Sequence, residues 1–135
     1  MAERRFPRDF KALESIYAFI REFVADCGID PEVAFDLDVN AEELFTDMVK
    51  YGHGGTRNIA IDLDWAAPTI TMRLRDFDVD RFDPTAVPPV NTNRPIEERH
   101  AGGLGIHLVR QIADHFEYAY ENRNSTITIT KRLSA

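Results

Sequence analysis

The sequence predicts an α+β domain: a two-layer α/β sandwich whose mostly antiparallel sheet carries helices on one face. Two observations lead there. Apolar residues first recur at steps of three and four, the period of amphipathic helices. Later segments alternate apolar with polar residues, so each strand has one apolar face, which suits a sheet covered on one side.

The first helix follows from Phe10, Leu13, Ile16, Tyr17, Ile20, Phe23, Val24 and Cys27, a single continuous stripe. Gly28 ends it, as a residue that tolerates positive φ. Asp30-Pro31-Glu32 starts a second helix, with Asp30 as N-cap and proline in the first turn. This helix is expected to run to about Tyr51, with Val33, Leu37, Ala41, Leu44 and Met48 facing the core. A polar stripe of Asp36, Asn40, Glu43, Asp47 and Lys50 runs beside them.

Ile59, Ile61, Leu63 and Trp65 mark one strand, and Ile70, Met72 and Leu74 another. Phe116, Tyr118 and Tyr120 pair with Ile127 and Ile129 through a turn at Asn122-Arg123-Asn124. Between Asp76 and Gly103 lies a proline-bearing stretch of little periodicity, of a length found in functional lids or disordered segments. A third helix is expected after Gly103-Leu104-Gly105, with Ile106, Val109, Ile112, Ala113 and Phe116 on one face.

A length of 135 residues, 44% of them hydrophobic and 29% charged, predicts a single domain over residues 1–135 with a real core. The net charge of −7 argues against direct nucleic-acid binding, since no basic stripe is present to neutralise phosphates. No run of 18 apolar residues exists and the N-terminus lacks a signal-peptide pattern, so no membrane span and a cytoplasmic location are expected. The lone Cys27 lies on an apolar face and forms no internal disulfide. His53, His100, His107 and His115 lack zinc-ligand spacing with it.

Three places carry chemistry. Glu43 and Asp47, four residues apart, share one helix face. That is a solvated stripe eased by Lys50, or a place for Mg²⁺, which takes one or two carboxylates plus substrate phosphates. Ala101-Gly102-Gly103-Leu104-Gly105-Ile106 opens a helix, where backbone amides and the helix N-terminus favour an anion; an ordinary glycine turn is the plainer reading. Asp76-Phe77-Asp78-Val79-Asp80 follows a strand, either as an acidic turn or as carboxylates able to hold the exocyclic amine of a base.

The order of these pieces resembles the GHKL (histidine-kinase-like) ATPase superfamily, and within it the anti-sigma-factor serine/threonine kinases. Ala41-Glu42-Glu43-Leu44-Phe45-Thr46-Asp47-Met48-Val49-Lys50-Tyr51-Gly52 is similar to that family's N-box. The stretch from Arg94-Pro95 through Arg99-His100-Ala101-Gly102-Gly103-Leu104-Gly105 to Arg110 is similar to its second glycine box. The resemblance implies ATP and Mg²⁺ as cofactors, with Glu43 as general base. Asp47 is implied as metal and nucleotide ligand. Asp76, Asp78, Arg99, Gly102, Gly103, Leu104 and Gly105 are implied to line the nucleotide. It also implies a homodimer that holds a sigma factor and phosphorylates an anti-sigma-factor antagonist.

Two positions depart from the family pattern. Asp47 stands where the family has Asn, placing an extra negative charge beside a triphosphate. The adenine box, Asp-x-Gly in the family, aligns either on Phe77 and Val79 or, shifted by one residue, on Asp76 and Asp78. Both registers put a side chain where glycine is expected. The alternative to a kinase is therefore a non-catalytic partner-binding module of the same fold.

Overall fold

The computed structural model describes residues 1–52, 54–81 and 113–133. In chain order the elements are β1 (Ala2–Phe6), α1 (Leu13–Asp26), α2 (Val33–Tyr51), β2 (Ile59–Ala66), β3 (Thr69–Asp76), β4 (His115–Glu121) and β5 (Asn124–Arg132). The strands form one sheet in the order β1-β2-β3-β5-β4, with every neighbouring pair antiparallel.

A short 3₁₀ turn, Phe10–Ala12, leads into α1, with the Asp9 carboxylate accepting from the Lys11 amide. The predicted stop is present in full. Gly28 has φ of +68°, its amide donates to Ala25 O, and the next amide, of Ile29, reaches back to Val24 O. These bonds satisfy carbonyls that the last helical turn would otherwise leave open.

The second helix begins two residues later than an N-cap at Asp30 suggests. Val33, Ala34 and Phe35 donate to carbonyls three residues back, so Asp30-Pro31-Glu32 forms a tight turn before the first α-helical residue. Asp30 still acts locally, its carboxylate accepting from the Glu32 amide at 3.0 Å.

Apolar sides of both helices meet one face of the sheet. Ile16, Ile20, Leu37 and Leu44 share a core with Ile59, Ile61, Leu63, Met72, Leu74 and Ile129, all at most 1% exposed. Truncating a side chain here, such as Leu44→Ala, costs about 2–5 kcal/mol. The opposite face is polar: Asp62, buried beneath longer side chains, pairs with Arg73 at 3.0 Å and Arg75 at 3.2 Å. This one-sided burial is the predicted two-layer α+β sandwich.

Strand β1 escapes the alternation rule because its interior residues Glu3, Arg4 and Arg5 are charged and only Phe6 is fully buried. Charged residues suit the edge of a sheet, where β1 lies. The β4–β5 turn uses Asn122 at φ +53° and Arg123 at φ +63°, the two left-handed positions of a tight hairpin. Phe116, which fits both the third-helix stripe and a strand, belongs to β4. The third helix itself and the lid stretch from residue 82 onward lie outside the described residues.

Candidate functional site

Helix α2 has more buried positions than its apolar stripe supplies. Asn40 is fully buried and Asp47 is 2% exposed, while Glu43 between them is half-buried. The stripe beside the core is therefore not a solvated face. Neither carboxylate oxygen of Asp47 has a hydrogen-bond partner among the described residues, and neither does the side-chain amide of Asn40. Buried polar atoms are nearly always paired, so these atoms call for partners beyond the described residues.

Electrostatics at this face follow from burial. The Asp47 carboxyl is pushed up from 3.8 to about 7 by desolvation, then by the charge of Glu43, with Lys50 pulling the other way. Glu43 is raised as well, by burial first and then by Glu42. Protonated Asp47 presents a neutral carbonyl oxygen, as asparagine does, which reduces the chemical distance of this departure from the family pattern. Two unshared oxygens on a buried acid fit a hard cation. Among the described residues no three His, Cys, Asp or Glu cluster to hold a metal unaided. A site that relies on substrate phosphates for its remaining ligands fits that arrangement.

At the end of β3 the geometry differs. Asp76 is 1% exposed and its carboxylate is ion-paired with Arg8. Burial raises its pKa, against the lowering influence of Arg8 and of the Phe77 amide that also bonds to it. The Arg8 Nη2 donates to Met48 O at 2.8 Å and Gly52 O at 3.2 Å, closing the C-terminal end of α2. Gly52 packs so closely that a Cβ there would lie 2.5 Å from Asp76 Oδ2. Arg8 thus engages one oxygen of the acid expected to receive an adenine amine.

The structure distinguishes the two registers of the acidic segment. Asp78, in the glycine position of the Asp76 register, has φ of +54°, a conformation that glycine adopts freely and aspartate tolerates. Its exposed carboxylate pairs with Arg123 at 2.9 Å, and that arginine also holds Asp80 at 3.1 Å. Val79 instead turns inward, 1% exposed, with its amide donating to Arg123 O and its carbonyl accepting from the Tyr120 hydroxyl, both at 2.8 Å. Phe77 is half-buried, with the Arg5 guanidinium 5.0 Å from its ring centre. The sequence does not single out Arg8, which lies 68 positions from the acid it holds.

Gly52, which follows α2, touches the Asp76–Arg8 pair. Arg99, Gly102, Gly103, Leu104 and Gly105 lie outside the described residues. A cleft of about 720 Å³ lies at the opposite end of the sandwich, between Gly28, Asp36, Trp65, Pro68 and Lys131. None of the predicted site residues lines it.

A sheet of this order under two helices, with an acidic α2 face and a buried acid ending β3, defines a histidine-kinase-like ATPase fold. The family model described as "Histidine kinase-like ATPase domain" matches residues 6–131, and the chain belongs to that family. It is similar to serine-protein kinase RsbW of Halalkalibacterium halodurans, 28% identical over 102 residues. That match takes in 73% of this chain and 62% of the relative, so the chain spans less than two thirds of the relative's length.

Among solved structures, the RsbU and RsbW domains of Rv1364c from Mycobacterium tuberculosis superpose with a TM-score of 0.70 at 15% identity, over 98% of this chain and 31% of that one. The SiaB-SiaC complex from Pseudomonas aeruginosa gives 0.63 at 12% identity, over 98% and 89%. At these identities the superpositions establish the fold, and they bear out the predicted α+β sandwich.

Proposed function

We propose that this chain is an ATP-dependent serine/threonine protein kinase that acts as an anti-sigma regulatory factor and phosphorylates an anti-sigma-factor antagonist. The observation that carries the reading is the buried carboxylate of Asp47, without a hydrogen-bond partner among the described residues, one helical turn after Glu43. Its family membership and its likeness to an RsbW serine-protein kinase support it. The SiaB-SiaC complex supports a protein partner for this fold.

In this reading Asp47 would hold Mg²⁺, and Glu43 would accept the proton of the substrate serine as its oxygen bonds to the γ-phosphorus of ATP and ADP leaves. Such a base needs only hydrogen-bond reach and a pKa suited to the task, which half-burial of Glu43 favours. Mg²⁺ bound with the nucleotide supplies charge neutralisation on the phosphates. The backbone of Gly102, Gly103, Leu104 and Gly105, with Arg99, holds the phosphate oxygens. The acts of binding and release belong to one domain, working in the cytoplasm as a homodimer and alternating between a sigma factor and the antagonist.

The second reading, a partner-binding module that does without ATP, has the Arg8–Asp76 pair in its favour. One experiment separates the two. The protein is incubated with Mg-ATP and an antagonist-type protein encoded beside it, and the partner is weighed intact. A partner heavier by one phosphate supports the kinase. An unchanged partner, with no thermal shift of this protein at millimolar Mg-ATP, favours the module, because a nucleotide at 100 times its Kd should stabilise by about 2.7 kcal/mol.

A further inference from the structure

We infer that Arg8 sets the base selectivity of the nucleotide pocket by holding Asp76 away from the base. The inference rests on the ATP-binding reading above and deepens it.

The geometry shows a built arrangement. Arg8 Nη1 is committed to Asp76, and Nη2 to two carbonyls at the C-terminal end of α2, Met48 O and Gly52 O. Its side chain is only 12% exposed. Room for it comes from two glycines: a Cβ on Gly52 would lie 2.6 Å from Arg8 Nη2, and one on Gly55 would lie 2.7 Å from Arg8 Cζ. A surface arginine caught by chance does not require such clearance on two sides. Arg8 is a positioning residue, acting through the acid that it holds.

The chemical consequence concerns which base edge is accepted. An ionised carboxylate only accepts hydrogen bonds, so it favours the amine of adenine and repels the carbonyl that guanine presents at the same place. Pairing with a guanidinium weakens both effects. Its charge is offset, one of its two oxygens is engaged, and N–H donors lie beside it. A pocket ending in the Arg8–Asp76 pair therefore discriminates poorly between the two purines.

The test is equilibrium titration of the full chain with fluorescent ATP and GTP analogues in Mg²⁺, read by anisotropy. For the parent protein the two dissociation constants should differ by less than about tenfold, the discrimination that one charge-assisted hydrogen bond otherwise supplies. Arg8→Gln keeps an amide donor for the α2 carbonyls and removes the charge. It should shift the ratio towards ATP by about tenfold or more. A merely structural Arg8 would move both affinities together and leave the ratio alone.

A parent that prefers ATP by tenfold or more overturns the inference while the ATP-binding reading stands. So does a folded Arg8→Gln variant with the parental ratio. Should Arg8→Gln fail to fold, the parent ratio alone decides. Binding of neither nucleotide by parent or variant overturns the inference together with the ATP-binding reading.

Discussion

Asp47 follows Glu43 by one turn of α2, and its carboxylate is enclosed with both oxygens lacking hydrogen-bond partners among the described residues. The proximity of the two acids contributes to holding a proton on Asp47 near neutral pH, where an ordinary aspartate has none.

The pH dependence of stability follows from that proton. The folded chain binds it more tightly than the unfolded chain, so the stabilising contribution is full below 3.8 and is lost as pH rises through about 7. Asp47→Asn removes the dependence. At about 1.4 kcal/mol per pKa unit, the stability advantage of the variant should widen by roughly 2–3 kcal/mol between pH 5 and pH 8. Urea unfolding in chelator-treated buffer measures it. A gap that stays constant across this range would show that Asp47 ionises in the fold as it does in the open chain.

Removing the cation gives a separate outcome. With a non-hydrolysable ATP analogue present, adding Mg²⁺ should raise the thermal midpoint of the parent and of Asp47→Asn, since both side chains keep an oxygen ligand. Asp47→Ala should lose the Mg²⁺ increment while keeping the stabilisation that the analogue gives alone. An alanine variant with the full increment would place the metal elsewhere.

The sequence carried the helices and inner strands well because their apolar spacing answers directly to burial. Ile59, Ile61 and Leu63, or Leu37, Ala41 and Leu44, have the period of the element they form. Strand β1 was not legible in this way. Its pairing with β2 is a backbone property of an edge, and Glu3, Arg4 and Arg5 carry no alternation.

At the candidate site, sequence spacing put Glu43 and Asp47 on one face but did not distinguish a solvated face from a buried one. Burial depends on what packs over a helix from elsewhere in the chain. The Arg8–Asp76 pair joins residues 68 positions apart, and no local pattern announces it. Asp78 is the opposite case: a glycine position filled by aspartate reads as a defect, whereas its φ of +54° is one that aspartate adopts.

Glu43 is the residue whose loss should separate chemistry from binding. Glu43→Gln preserves shape and removes the base, so transfer to a partner serine should fall by about 10²–10⁴-fold. Nucleotide affinity, measured by anisotropy, should change little. Intact-mass time courses of the partner give the rate. A glutamine variant that transfers as fast as the parent would remove Glu43 from the reaction.

Gly52 and Gly28 make a final comparison, because each is a glycine for a different reason. Gly28 has φ of +68° with open space for 4 Å around the place an added Cβ would take, so Gly28→Ala meets only backbone strain, about 1–2 kcal/mol. Gly52 has an ordinary φ of −76°, but its Cβ would lie 2.5 Å from both Asp76 Oδ2 and Met48 O. These neighbours are a buried acid held by Arg8 and a helix carbonyl, and neither yields cheaply. Gly52→Ala should therefore cost more than Gly28→Ala, by overpacking of about 1–3 kcal/mol together with a loosened Arg8–Asp76 pair. Paired urea melts rank them. If Gly28→Ala proved the more damaging, the close packing of α2 against the end of β3 could not be what fixes Asp76 in place.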